Sequence, residues 1–128
     1  MATFEFNKLI RDKLRIEYER MNQKATYRKL SSSEFFEALK QKLIEEVKEI
    51  QPTDRDSVVN ELADVYQVIE EMIKVYDIAP EEIQKVKATK LKKKGGFSEA
   101  LFVETLELSD EDEWNEYYRK EPDVFKEL

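Results

Sequence analysis

Two short runs of carboxylates carry the chemistry of this chain: Glu45-Glu46-Val47-Lys48-Glu49, then Glu61-Leu62-Ala63-Asp64. Residues three or four apart share a helix face, so each run can aim paired oxygens at one point. Two such pairs facing each other from neighbouring helices make a hard, all-oxygen site of the kind that suits Mg²⁺ or Mn²⁺.

The elements that must position them can be read by turning each helix at about 100° per residue. In the first, Phe35, Phe36, Leu39, Leu43, Val47 and Ile50 define an apolar arc. Glu46 falls inside that arc, Glu49 lies just off its edge, and Glu45 lies further round. In the second, Val58, Leu62, Val65, Tyr66, Val68, Ile69, Met72, Ile73 and Tyr76 form a broad stripe. Glu61 sits within it, and Asp64 just beyond Val68. A carboxylate on an apolar face costs several kcal/mol unless it is paired or metal-bound. Two at matching places on adjacent helices point to a shared cation. Against this stands the ordinary use of acids in a chain rich in Glu and Lys: solvated faces, or ion pairs with neighbours such as Lys42 and Lys48.

Local signals set the helices that carry these runs. Ser31-Ser32-Ser33-Glu34 fits a capping box, which predicts a helix to about Gln51, stopped by Pro52. Thr53 or Asp54 can cap the next, which runs to about Tyr76 or Asp77. So short a link makes the two helices antiparallel neighbours, and Glu46 and Glu49 then face Glu61 and Asp64. Upstream, alternating aromatics lead into a helix from about Asp12 to Met21, with Leu14, Tyr18 and Met21 on its buried face. Pro80 suits a first helical position, with Glu81 and Glu82 at the positive helix start. That helix should end near Lys94, before Gly95. Residues 97–108, rich in Phe, Val, Thr and Leu, read as extended, as a hairpin or an arm. A short acidic helix from Glu111 to about Lys120 carries Trp114, Tyr117 and Tyr118, whose expected role is packing.

Composition narrows the function further. The 128 residues fit one domain. With 41% hydrophobic residues, 40% charged residues and only two glycines, amphipathic helices are favoured over an all-β fold. Cysteine and histidine are both absent. That excludes disulfides, zinc thiolates, thiol nucleophiles and imidazole catalysis. No apolar run approaches the length of a membrane span and no signal peptide is evident, so a cytoplasmic location is expected. A net charge of −7 argues against general nucleic-acid binding. Two basic clusters stand out all the same: Lys8, Arg11 and Lys13, and Lys92 to Lys94. They can neutralise nucleotide phosphates or serve as ordinary surface and helix-end charge. With no Walker A sequence or dinucleotide fingerprint, any phosphate binding must centre on a metal.

Together these segments resemble the MazG-like family of all-α nucleoside triphosphate pyrophosphohydrolases, in its phosphoribosyl-ATP pyrophosphohydrolase-like branch. The resemblance rests on Glu45 to Glu49 with Glu61 to Asp64, on Asn7-Lys8-Leu9-Ile10-Arg11-Asp12-Lys13-Leu14, and on Lys93-Lys94-Gly95-Gly96-Phe97. It implies an all-α helical bundle completed by dimerisation, with catalytic helices over about 33–77 and a C-terminal arm over about 97–128. It also implies Mg²⁺-dependent cleavage between the α and β phosphates of a nucleotide, giving a nucleoside monophosphate and pyrophosphate. Glu46, Glu49, Glu61 and Asp64 would hold the metal, and Glu45 would hold or deprotonate the attacking water. Lys8, Arg11 and Lys13, backed by Lys93 and Lys94, would contact phosphate. Asn60 departs from the pattern, standing where many relatives carry a further Glu. The length allows one catalytic unit rather than the tandem arrangement.

Three functions follow as expectations. The first is a nucleotide pyrophosphohydrolase active as a homodimer or tetramer. The second is a non-catalytic helical module of the same fold that binds nucleotide or a protein partner. The third is an acidic scaffold for a basic partner, with affinity for neither metal nor nucleotide.

Overall fold

The computed structural model describes residues 1–51 and 53–128; the expected stop at Pro52 lies outside the described residues. Among the described residues the protein is all-helical, with no strand. The helices are α1 (Leu14–Arg20), α2 (Ser32–Lys48), α3 (Arg55–Val75), α4 (Pro80–Lys94) and α5 (Trp114–Arg119). None of them is long and apolar enough to cross a membrane. The chain divides into two compact units, Met1–Thr89 and Lys90–Leu128.

The first unit is organised by α2 and α3. Both starts are fixed by side-chain caps. The Ser31 hydroxyl accepts from the Glu34 N–H at 3.3 Å, while the Glu34 carboxylate accepts from the Ser31 N–H at 3.1 Å, completing the capping box. Asp54 caps α3 by accepting from the Ser57 N–H at 2.8 Å. The helices run antiparallel: Phe36 near the start of α2 meets Tyr76 just past the end of α3, edge to face at 4.9 Å between ring centres. Helix α2 ends at Lys48 rather than near Gln51. The N–H groups of Glu49 and Ile50 bond back three residues, to Glu46 and Val47, so the last turn tightens and the chain leaves the α-helix early. Helix α3 ends in a left-handed residue, Asp77 (φ 53°). The N–H of Ile78 bonds the Ile73 carbonyl and that of Asp77 bonds Lys74, which terminates the helix as a Schellman motif does.

The sealed core of this unit is thin. Leu39 from α2 (3% exposed) and Val68 from α3 (7%) are its fully buried apolar residues. Four of the nine residues of the stripe expected to be buried are exposed, Leu62, Tyr66, Ile69 and Tyr76, as are Val59 beside them and Ile44 and Val47 on α2. The contact between two helices buries one side of each, and these helices are apolar on more than one side. Helix α1 is shorter than expected. Leu14 and Met21, two of the three residues expected on its buried face, are exposed, and α2 and α3 are the elements that pack along one another.

In the second unit α4 stops as expected at Lys94, followed by Gly95 at φ 80°, a left-handed conformation that costs glycine little. Residues 97–108 form no hairpin. A turn closes from the Ala100 N–H to the Phe97 carbonyl, and no second strand supplies a ladder for the β-prone residues beyond it. Helix α5 is shorter than the expected 111–120. Trp114, Tyr117 and Tyr118 do pack, on one another and on Phe125, with Tyr118 and Phe125 edge to face at 4.8 Å. Arg119 grips Glu127 through Nε at 2.8 Å and Nη2 at 3.1 Å.

Candidate metal centre

The antiparallel pairing sets the end of α2 beside the start of α3, where the two acidic runs lie. Carboxylate oxygens of Glu46, Glu61 and Asp64 come within 4.8 Å of one another. Glu46 is 8% exposed, the single fully buried charged residue described. Its Oε2 and the Oε2 of Glu61 are buried without a hydrogen-bond partner. Buried carboxylate oxygens are ordinarily satisfied, and two without partners on residues that converge with a third carboxylate form an acceptor set with the chemistry to hold a cation. Desolvation, together with the nearby charges of Glu49 and Asp64, holds the Glu46 carboxyl above the usual carboxylate range, although Lys42 pulls the other way. All-oxygen donors of this kind fit Mg²⁺ or Mn²⁺.

Glu49 stands outside this trio, exposed at the C-terminal cap of α2, but it lines the same cleft. The cleft is about 290 Å³. One wall is the N-terminal segment from Phe6 to Leu14; the other is Lys42, Glu46, Glu49 and Asp64. Glu45 points elsewhere: its Oε1 accepts from Lys8 Nζ at 3.2 Å and from Lys42 Nζ at 3.3 Å. Burial pushes its carboxyl up, but the two lysines outweigh this and hold it below the usual range.

Two of the basic residues expected to meet phosphate instead meet carboxylates. Arg11 Nη2 donates to Asp64 Oδ1 at 2.7 Å, and Lys8 takes Glu45. Lys13 lies outside the cleft lining, at the N-terminal cap of α1. Lys93 and Lys94 belong to the second unit, exposed on the last turn of α4, where cations complement the negative helix end.

Lys42 is the residue that sequence reasoning undervalued. Its place in the sequence marks it only as an ordinary ion-pair partner for the acids, yet its side chain is mostly buried and reaches both Glu45 and Glu46, the latter at 3.5 Å. The signal was its position one turn before Glu46, on the same inward arc. Five carboxylates (Glu45, Glu46, Glu49, Glu61, Asp64) thus stand near three cations (Lys8, Arg11, Lys42), a net acidic excess.

Comparison of the chain with protein-family models, with curated proteins and with solved structures finds no match.

Proposed function

We propose that the chain is a divalent-metal-dependent nucleotide pyrophosphohydrolase, cleaving a nucleoside triphosphate or related nucleotide between the α and β phosphates. The observation that carries this reading is the buried, unpartnered pair of carboxylate oxygens on Glu46 and Glu61, two residues that converge with Asp64, where Glu46 and Asp64 line a cleft that Lys8 and Arg11 also line. It agrees with the resemblance of these motifs to MazG-like pyrophosphohydrolases.

Glu46, Glu61 and Asp64 hold the ion, with Glu49 at the open side of the cleft. When bound, Mg²⁺ or Mn²⁺ supplies charge neutralisation on the phosphates and a more acidic water. The protein does the rest. Glu45, kept ionised by Lys8 and Lys42, orients a water by accepting its hydrogen bond; its lowered basicity makes it a positioner first and a proton acceptor second. Lys8 and Arg11 are close enough to the acids to turn toward phosphate oxygens, with Lys13 as a further phosphate contact from the same segment. Leu9 and Ile10, half-buried beside them, restrict water in the cleft.

The active form in this reading is a homodimer or tetramer in the cytoplasm. Val59, Leu62, Tyr66, Ile69, Ile73 and Tyr76 recur at three- and four-residue steps along α3, the seam spacing of a helix that packs on another helix. Five of the six are exposed in the single chain. An apolar stripe of this regularity is what a second copy would cover to complete a bundle.

One observation favours the alternative, a non-catalytic module of the same fold: Glu45 and Asp64 already have cationic partners within the chain. A panel of nucleoside triphosphates with Mg²⁺, assayed for both pyrophosphate and nucleoside monophosphate, separates the two. Release of both products in equal amounts supports the enzyme. Nucleotide binding without either product supports the module.

A further inference from the structure

We infer that Lys8 and Arg11 are displaceable counter-ions of the acidic cleft, and that a divalent ion enters by evicting Arg11 from Asp64 and so loosens the N-terminal strap. The inference rests on the proposed metal site and concerns how that site is guarded.

Three observations converge on it. First, the strap is held over the cleft by side chains alone: among the described residues, no backbone hydrogen bond involves residues 1–10. Its polar fastenings to α2 and α3 are Lys8 to Glu45 at 3.2 Å and Arg11 to Asp64 at 2.7 Å. Second, the Arg11 fastening falls on one of the three carboxylates that converge, so an ion and the guanidinium compete for the same carboxylate charge. Third, the fastenings are of the weak kind. Lys8 is 46% and Arg11 59% exposed, and an exposed ion pair is worth less than a tenfold factor in equilibrium.

Lys42 is different in kind. It sits on α2 itself, mostly buried, one turn from the acids it pairs with. Its backbone is fixed in the same helix as Glu45 and Glu46, so its charge stays beside the site. The strap cations are a removable part of the site's charge. In the ion-free protein they lower the repulsion among the acids; once displaced, they become free cations at the mouth of a cleft that then holds a metal.

The test is direct Mn²⁺ binding, read from the free-ion paramagnetic resonance signal, with no nucleotide present. Wild type is compared with Arg11→Gln and Arg11→Lys, folding being verified by circular dichroism. Loss of the competing charge in R11Q should tighten Mn²⁺ binding roughly two- to fivefold, and R11K, which keeps the charge, should stay within about twofold of wild type. Binding in R11Q but not in wild type would support the inference more strongly still. Equal or weaker binding in R11Q than in a wild type that does bind would overturn the strap while leaving the metal site standing. Tightening in R11K equal to that in R11Q would also overturn it, since charge competition would not be the cause. Absence of binding in all three would remove the metal site and the strap together.

Discussion

Replacing Glu46 by Gln should make the ion-free protein more stable and leave it insensitive to Mg²⁺. In the structure the Glu46 carboxylate lies within 4.8 Å of both Glu61 and Asp64 and 3.5 Å from Lys42. At an effective dielectric of roughly 20, each carboxylate pair repels by about 3.5 kcal/mol and the Lys42 pair attracts by about 5 kcal/mol. E46Q removes two repulsions and one attraction, a relief of roughly 2 kcal/mol on the same scale. Arg11 already offsets part of the Asp64 charge, which trims the gain to about 1–2 kcal/mol. The assay is thermal unfolding at about pH 8, above the ordinary carboxylate range, in EDTA and then in a Mg²⁺ titration. For a chain of this length 1 kcal/mol corresponds to roughly 3–5 °C, so E46Q should melt roughly 3–10 °C above wild type in EDTA. Wild type should gain about 2.7 kcal/mol at 100 times its dissociation constant, and E46Q should gain nothing. An E46Q protein that melts below wild type in EDTA, or that responds to Mg²⁺ as wild type does, would refute the reasoning.

Further outcomes follow from other parts of the fold. Glu49→Gln should abolish pyrophosphate release while leaving the circular dichroism spectrum and melting point within error of wild type; normal release would remove Glu49 from the site. Tyr66→Glu puts a charge on the most exposed ring of the α3 stripe (67% exposed). It should weaken self-association on the order of 100-fold, the cost of an unpaired charge in an apolar contact, and unchanged sedimentation would show that the stripe is not the interface. The pH dependence of ion-free stability has a definite sign. The Glu46 carboxyl is raised above its ordinary 4.5, so its contribution is complete below that value and is lost as pH climbs through its folded pKa. Glu45, held low, acts the other way: its contribution is present above the unfolded value and lost as pH falls through the folded one. Urea unfolding in EDTA from about pH 4 to about pH 8 should show the first loss in wild type and not in E46Q.

Much of the local architecture was legible because its causes are local. The Ser31–Glu34 box, the Asp54 cap, Pro80 at a helix start and Gly95 after a helix end act over a few residues, and each does in the fold what its chemistry allows. The placing of Glu46 on a buried face was legible for a similar reason, since 3.6-residue periodicity extends through the helix. Contacts between distant residues were not. Lys8 is 37 residues from Glu45 and Arg11 is 53 from Asp64, and no periodicity encodes those pairings, so the sequence offers phosphate contact or ordinary surface charge for both cations but not these carboxylate partners. Of the alternatives open for residues 97–108 the hairpin alone is excluded, since β-prone residues become a hairpin only when two segments pair. Burial was overstated on α1 and α3 because a helical wheel counts apolar sides without counting the neighbours needed to cover them.

The thinness of the seal around Leu39 and Val68 has a thermodynamic corollary. The seam runs along α3, one of the two helices that carry the acids, so the order that lets oxygens converge depends on whatever covers the outer side of α3. If a second copy does so, ion uptake and assembly are linked equilibria. Adding ion would then promote assembly, and dilution would cost the protein its hold on the ion, without any change at the ligands.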